Sequence, residues 1–408
     1  YRILYSHKKQ DYWLAIGTIG MILTHTIITL YTAIVCFIYL IIHYKKVRKK
    51  KIQKAIILNL LVVIVITAFF WIPLLEVKNS AEYEVFKPGR MERTEVLIAY
   101  KLNITQLLYT TPDSGMIYEI GFVTLVGLLL TPMAIKKVKK SHKNTAMWYK
   151  TYLFMLIGGL ICIFMTLKIF PFEHLPSILK MLQFSFRLLE FSSFFFAIIA
   201  AINYGVLIQD FGMKEVMVLA SVNMILTVFL FSHLQYREQA FDESVLWPAV
   251  SVTSQTGRVH AGCASFEYLP SKAFENRDYI ETRDQSVQVL DGSCQIEDEE
   301  KEHTNLSLKV AYVLTETKIE LPYIYYPGYT VQMEVDGKKQ TLQTYETDKG
   351  FVGVILPITE HGNVTLHYTG TVWMKVSGLI SLIGVCVFLG LHVRRSFKKK
   401  SINRIQDK

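Results

Sequence analysis

The stretch Phe170–Arg187, FPFEHLPSILKMLQFSFR, opens onto an almost unbroken apolar run from Phe186 to Ile208. That run is about 23 residues, roughly 34 Å as an α-helix, and long enough to cross a bilayer. Arg187 stands at its mouth. A guanidinium at that depth is costly unless it faces a cavity, a partner or a lipid phosphate. Arginine suits phosphate because its planar fork holds two oxygens at once. The competing reading is an arginine that snorkels to the headgroups or pairs with Glu190, near it on the helix.

Composition widens this reading to the whole chain. Over 408 residues, 51% hydrophobic and 13% aromatic content suits a polytopic membrane protein with a sizeable water-facing part. The net charge of +10 could suggest nucleic acid. Its basic runs, however, flank apolar spans: Lys45–Lys51, Lys136–Lys140 and Arg394–Lys400. That is the positive-inside pattern, which orients a membrane protein and argues against a nucleic-acid partner. Cys36, Cys162 and Cys386 fall in apolar runs and read as small hydrophobes. Cys263 and Cys294 fall in a polar region expected on an oxidising side, where they can pair. No cysteine spacing fits a metal motif.

Read in order, the chain predicts about eight transmembrane segments. Tyr12–Tyr44 is too long for one crossing and short for two, with basic residues at both ends. A hairpin turning at Thr24-His25-Thr26 satisfies both facts. Further spans follow over 54–75, 117–135, 149–169, 186–208, 216–232 and 373–392. Phe69-Phe70-Trp71 reads as an aromatic belt. Leu97, Tyr100, Ile104 and Leu108 recur at helical spacing and predict a helix lying on the membrane or the bundle. Residues 233–370 are different: polar, rich in Thr, Tyr and Val, and alternating. Tyr329, Val331, Met333 and Val335 alternate with Thr330, Gln332 and Glu334, and Asp336-Gly337 follows at once, which predicts a hairpin. Val310–Leu314, Lys318–Tyr326, Phe351–Leu356 and Val364–Tyr368 read as further strands. The expected architecture is therefore a multi-span domain over 1–232, an extracytoplasmic antiparallel β-sandwich over 233–370, and a last helix with a basic cytoplasmic tail over 371–408.

Several short motifs then carry a resemblance. Glu267-Tyr268-Leu269-Pro270-Ser271, Leu321-Pro322-Tyr323-Ile324-Tyr325-Tyr326-Pro327-Gly328-Tyr329 and Asp336-Gly337-Lys338 resemble the tail of the bacterial YfhO-type membrane proteins. That family is also labelled as a 6-pyruvoyl-tetrahydropterin synthase related membrane domain. Leu23-Thr24-His25-Thr26 resembles the family's Ser/Thr-His element, and Phe69-Phe70-Trp71-Ile72-Pro73-Leu74 its FxWxPLL element. Gln183-Phe184-Ser185-Phe186-Arg187-Leu188 resembles its F-P-W-R-L element, with Ser185 and Phe186 standing where the family usually has Pro and Trp. The family is similar to GT-C integral membrane glycosyltransferases. What the resemblance implies is transfer of a sugar from a polyprenyl-phosphate donor to a cell-envelope polymer, such as a teichoic acid or other surface glycan, on the outer face. It also implies a general base in a first outer loop, which would precede Tyr1, so the chain reads as part of a longer polypeptide. In a bacterial protein the Asn-X-Ser/Thr triplets at Asn103, Asn305 and Asn363 carry no weight.

On this reading the leaving group is a lipid phosphate, and a cation at the membrane boundary would stabilise its developing charge. Arg187 is the first candidate, with His25 as a second phosphate contact or proton carrier. Glu119, Glu173 and His174 are candidates for sugar hydroxyls or a divalent metal; Arg90 and Arg93 could reach a ligand from a loop. Adjacent Glu173-His174 is more often incidental, and a loop charge cluster is usually only solvated. No cofactor, Gly-rich phosphate loop or metal-ligand cluster follows from the sequence. Two other classes stay open. A lipid-linked glycan flippase would place polar groups through the middle of several helices, where only Asn59, Asn203 and Asn223 stand. A non-catalytic envelope scaffold would use the sandwich as its binding module.

Overall fold

The structure, a computed structural model, describes residues 2–5, 12–87, 94–108, 118–141, 145–231 and 268–406. The chain forms two compact units: residues 1–90 with 243–408, and residues 91–242. The division cuts across the sequence-based one, because the first helices group with the sandwich and the final helix.

In the first unit, helices α1 (Trp13–Thr24) and α2 (Thr26–Ile42) are separated by His25 alone, in extended conformation. The interruption falls where the turn was expected. One residue is shorter than the two to five that an antiparallel helical hairpin uses, so it is a break in the apolar run. Helix α3 (Lys50–Ile66) and helix α4 (Ala68–Ser80) meet at Thr67 with a 66° bend. Pro73 inside α4 has no N–H, and its ring crowds the carbonyl of Phe69. Three hydrogen bonds satisfy groups at the bend. Trp71 Nε1 donates to the Ile64 carbonyl at 2.9 Å, and the Phe69 N–H donates to Ser381 Oγ of the final helix, Val372–Gln406, at 2.9 Å. Ser381 Oγ in turn donates to the Val65 carbonyl at 3.3 Å. A broken helix survives in an apolar medium only with such re-satisfaction. Gly384 lets the final helix come close, since a Cβ there would lie 2.6 Å from Val65 Cγ1. Buried Asn59 accepts the Ala15 N–H at 2.9 Å, tying α1 to α3.

The second unit holds α5 (Phe122–Leu129), α6 (Thr131–Ser141), α7 (Thr145–Thr166), α8 (Leu188–Leu207) and α9 (Met213–Phe231). The expected span 117–135 is broken at Leu130, where Thr131-Pro132 opens a new helix. Asn203, fully buried on α8, is the polar knot of the unit. Its amide donates to the Gly127 carbonyl at 2.8 Å and to Thr131 Oγ1 at 3.0 Å, and its carbonyl accepts Tyr152 Oη at 2.9 Å. Gly127 and Gly159 admit α8 closely, since Cβ atoms there would fall 2.3 Å from Ala200 and 2.4 Å from Phe196. Asn223 donates to the Leu219 carbonyl of its own helix. The mid-helix amides are thus bound to the helices themselves, and no polar path is built from them.

Among the described residues, three helical segments are long and apolar enough to cross a membrane: Tyr149–Thr166, Ser185–Leu207 and Val372–Leu391. The bent pair α3–α4 makes a fourth if taken as one span, and α1 and α2 are shorter apolar helices.

The β region is antiparallel throughout. Four strands, β1 (Gln288–Asp291), β4 (Thr317–Ile324), β8 (Phe351–Leu356) and β7 (Thr344–Glu346), form one sheet in the order β1-β4-β8-β7. Five strands, β2 (Gln295–Glu302), β3 (Asn305–Val313), β9 (Thr359–Tyr368), β5 (Tyr329–Val335) and β6 (Lys338–Leu342), form the other in the order β2-β3-β9-β5-β6. Leu306, Leu308, Val310, Val331, Met333, Val364 and Leu366 of the second meet Ile319, Leu321, Val352, Val354 and Leu356 of the first in one core. This is the sandwich that the alternation predicted. Asp336 (φ +49) and Gly337 (φ +75) make the β5–β6 turn, both left-handed as a type I′ hairpin requires. Strand β2, QIEDEEKE, carries no apolar alternation and was not expected; it is an edge strand, where charge is favoured. The Ser271 N–H donates to the Glu82 carbonyl at 2.7 Å, and the Tyr83 and Tyr326 rings stack at 6.3 Å, fastening the sandwich to the segment after α4. Cys263 lies outside the described residues, and with it the expected pairing to Cys294.

Candidate anion-binding site at Arg187

Arg187 is the last residue of a short 3-10 turn, Ser185–Arg187, and caps the N-terminus of α8. Helix N-termini carry partial positive charge, so the guanidinium adds to a field that already favours anions. The side chain is half-buried. Its Nη1 donates to the Gln183 side-chain carbonyl at 2.7 Å and to the Leu182 main-chain carbonyl at 3.0 Å, and its plane lies 5.0 Å from the Phe184 ring. Gln183 reaches it from a left-handed backbone, φ +69. That conformation is uncommon outside glycine and is retained where surroundings require it.

Aromatic rings frame the cation. Phe184 and Phe186 stack at 5.2 Å, and Tyr100 meets them edge-on at 5.0 and 5.8 Å. Tyr118 lies 5.5 Å from Phe186. Two loops are knit together to hold this arrangement. The Leu102 N–H donates to the Thr166 carbonyl at 2.8 Å, and the Lys168 N–H donates to the Leu102 carbonyl at 3.0 Å. Buried Ser185 donates its hydroxyl to the Tyr100 carbonyl. A proline at 185 would lack that hydroxyl, so Ser185 is what fastens this entry to Tyr100. The knot also explains a departure from the sequence reading. The expected helix through Leu97, Tyr100, Ile104 and Leu108 stops at Ala99, because the backbone at Leu102 pairs across to Leu167. Leu97, Leu102 and Leu107 are buried, while Ile104 and Leu108 stay exposed.

The other candidates fall in separate places. Glu119 is half-buried next to Tyr118 and so belongs to the border of the same aromatic group. Glu173 is exposed and 3.9 Å from Lys101, whose side chain is only 8% exposed and lies 5.9 Å from the Phe172 ring. His174 is exposed at the end of the turn Phe172–His174. His25 belongs to the first unit. It is exposed, and its Nδ1 accepts the Ile28 N–H at 3.4 Å, which caps α2. Arg90 and Arg93 lie outside the described residues. Among the described residues, no group of three or more His, Cys, Asp or Glu side chains is placed to hold a metal ion. Sequence reasoning missed Gln183, Tyr100 and Lys101, whose roles arise only when the two loops meet.

Comparison with protein-family models, with curated proteins and with solved structures finds no match.

Proposed function

We propose that this chain belongs to a membrane-embedded glycosyltransferase, and that Arg187 binds the phosphate of a polyprenyl-phosphate sugar. The observation that carries the reading is the half-buried guanidinium at the N-terminus of an apolar helix of membrane-spanning length, 5.0 Å from the Phe184 ring, which itself packs on Phe186 and Tyr100. The Gln183 side-chain carbonyl and the Leu182 main-chain carbonyl both accept from it and orient the fork. As the phosphate leaves, charge grows on its oxygens, and a preoriented cation stabilises that growth more than it stabilises the bound donor. The nearby rings suit the first apolar units of a polyprenyl chain. With the basic runs Lys45–Lys51, Lys136–Lys140 and Arg394–Lys400 on the cytoplasmic side, this site and the sandwich would lie on the outer face. Sugar transfer and an envelope-glycan acceptor rest on the sequence resemblance. A flippase is disfavoured by Asn203 and Asn59, both committed to helix packing.

The test is transfer of radiolabel from polyprenyl-phosphate sugars to envelope polymer in membranes carrying the full-length protein. Arg187→Ala should stop transfer while insertion is unchanged, and Lys338→Ala, on the β5–β6 turn, should not affect it. Undiminished transfer in Arg187→Ala would remove the proposal.

A further inference from the structure

We infer that the sandwich carries a second site, for a neutral or amino-bearing glycan, in a hollow on the face of its five-stranded sheet turned away from the core. It concerns the first unit alone and does not depend on the role of Arg187. The hollow measures about 300 Å³ and is lined by Glu297, Lys309, Glu334, Asp336, His361 and Asn363. That is at the small end of ligand sites.

The register shows why these side chains converge. Glu297 stands opposite Lys309, Lys309 opposite Asn363, and Asn363 opposite Glu334. Four strands thus present one straight row across three strand spacings, roughly 14 Å. The row mixes carboxylate acceptors, an ammonium donor and an amide that both donates and accepts. A sugar's hydroxyls do both as well. Lys309 is held by Asp298 at 2.6 Å, and His361 Nε2 lies 3.3 Å from Asp336. The Asn363 amide makes no hydrogen bond among the described residues.

A polar solvent face is ordinary for an antiparallel sheet. Two features set this one apart. At the same end of the sheet, Tyr312, next to the lining residue Ala311, is 62% exposed with a left-handed φ of +53. That conformation is an outlier for a bulky residue and marks a position held for something other than packing. Leu314 and Ile358, flanking the Val313–Thr359 pair, are each 71% exposed. Together they offer apolar surface beside the polar row, as a pyranose offers C–H faces beside its hydroxyl edge.

Charge selects the class of glycan. Residues 268–370 hold nine Lys and Arg against seventeen Asp and Glu, a net −8 within a chain of net +10. Three of its six polar lining side chains, Glu297, Glu334 and Asp336, are carboxylates. A polyanion, including a phosphate-rich teichoic acid, is repelled by such a field, whereas a neutral or ammonium-bearing polymer is not.

Full-length protein in detergent micelles, co-sedimented with chitin, chitosan and immobilised heparin, tests this. We expect retention on chitin or chitosan and none on heparin. The double variant Lys309→Ala/Asn363→Ala should lower retention about tenfold, as loss of two exposed hydrogen bonds implies. Mere attraction of chitosan to an acidic domain would be strengthened by removing Lys309, so the direction of change separates the two. Tyr312→Gly should weaken retention while raising the unfolding temperature, since the strain goes with the ring. Lys318→Ala on the other sheet should change nothing. Absence of retention on both polysaccharides, preference for heparin, or a double variant that binds like wild type overturns the inference. Sugar transfer that continues when retention is lost would leave the Arg187 reading standing.

Discussion

Two arginines in this chain solve the problem of a buried cation in opposite ways. Arg283, in the sandwich, and Glu320 beside it both have fully buried side chains, with Arg283 Nη2 3.5 Å from Glu320 Oε1. The guanidinium lies 4.4 Å from the Phe351 ring. Glu320 is completed by Tyr279 Oη at 2.9 Å and Thr347 Oγ1 at 2.7 Å, and Arg283 donates to the Ser286 carbonyl at 3.1 Å. Charge here meets charge, and through Tyr279 the network pins the short helix Arg277–Thr282 to the sandwich. Arg187 is only half-buried and has its Nη1 bonded to a carbonyl and an amide, both neutral. A cation matched by a carboxylate serves the fold. Arg187 is the cation to which the proposed function assigns a phosphate.

The contrast breaks most readily at Arg283. Arg283→Ala leaves Glu320 buried without its cation and should cost about 3–5 kcal/mol, read by denaturant unfolding. The apolar pair Arg283→Met/Glu320→Leu should recover most of that, since a matched ion pair gives up in desolvation much of what it gains in attraction. Arg187→Ala should do the reverse: little change in unfolding and a loss of roughly 100-fold in sugar transfer, the scale of removing one charge-stabilising donor. Equal damage to stability from both substitutions would erase the distinction.

A pH series sharpens it on the sandwich side. Tyr323 donates to the Asn305 carbonyl at 2.8 Å, and burial pushes its hydroxyl from 10.0 up to about 12. Its folded value exceeds its unfolded one, so its contribution is intact below pH 10 and is lost as pH rises towards about 12. Thermal unfolding should therefore fall across that window in wild type and less steeply in Tyr323→Phe. The smallest effect belongs to Ser381→Ala, which frees the Phe69 N–H at the α3–α4 bend. About 0.5–1.5 kcal/mol is expected, measured by unfolding in detergent, as for other hydrogen bonds between membrane helices.

Much of the fold was legible because it is local. Alternation from Tyr329 to Val335 followed by Asp-Gly yields a hairpin whatever surrounds it, and Phe351–Leu356 was found to its exact ends. Apolar length marked spans at 149–169, 186–208 and 373–392, and helices stand there at Thr145–Thr166, Leu188–Leu207 and Val372–Gln406. What local pattern could not supply were the interruptions and the unexpected strands. The stop at His25 falls where a turn was expected, but Thr67 and Leu130 break runs that are apolar on both sides, and a hydropathy reading runs straight through them. Strand β2 is written in acidic residues, and only its pairing with β3 makes it a strand. Of the candidate residues, Arg187 stood out because a cation beside an apolar run is conspicuous. Its setting did not, because Tyr100 and Gln183 give no sign in sequence that they will meet it.

By itself, then, the sequence determined which segments are apolar enough for a membrane, that a sandwich stands before the last helix, and that Arg187 is the unusual cation. These follow from composition and period, which act over a few residues. Tertiary structure alone decided that Arg283 is paired with Glu320, that Ser381 seals a bend 312 residues away, and that four strands align one polar row. Each is a pairing between distant parts of the chain, and no short window of sequence contains both partners.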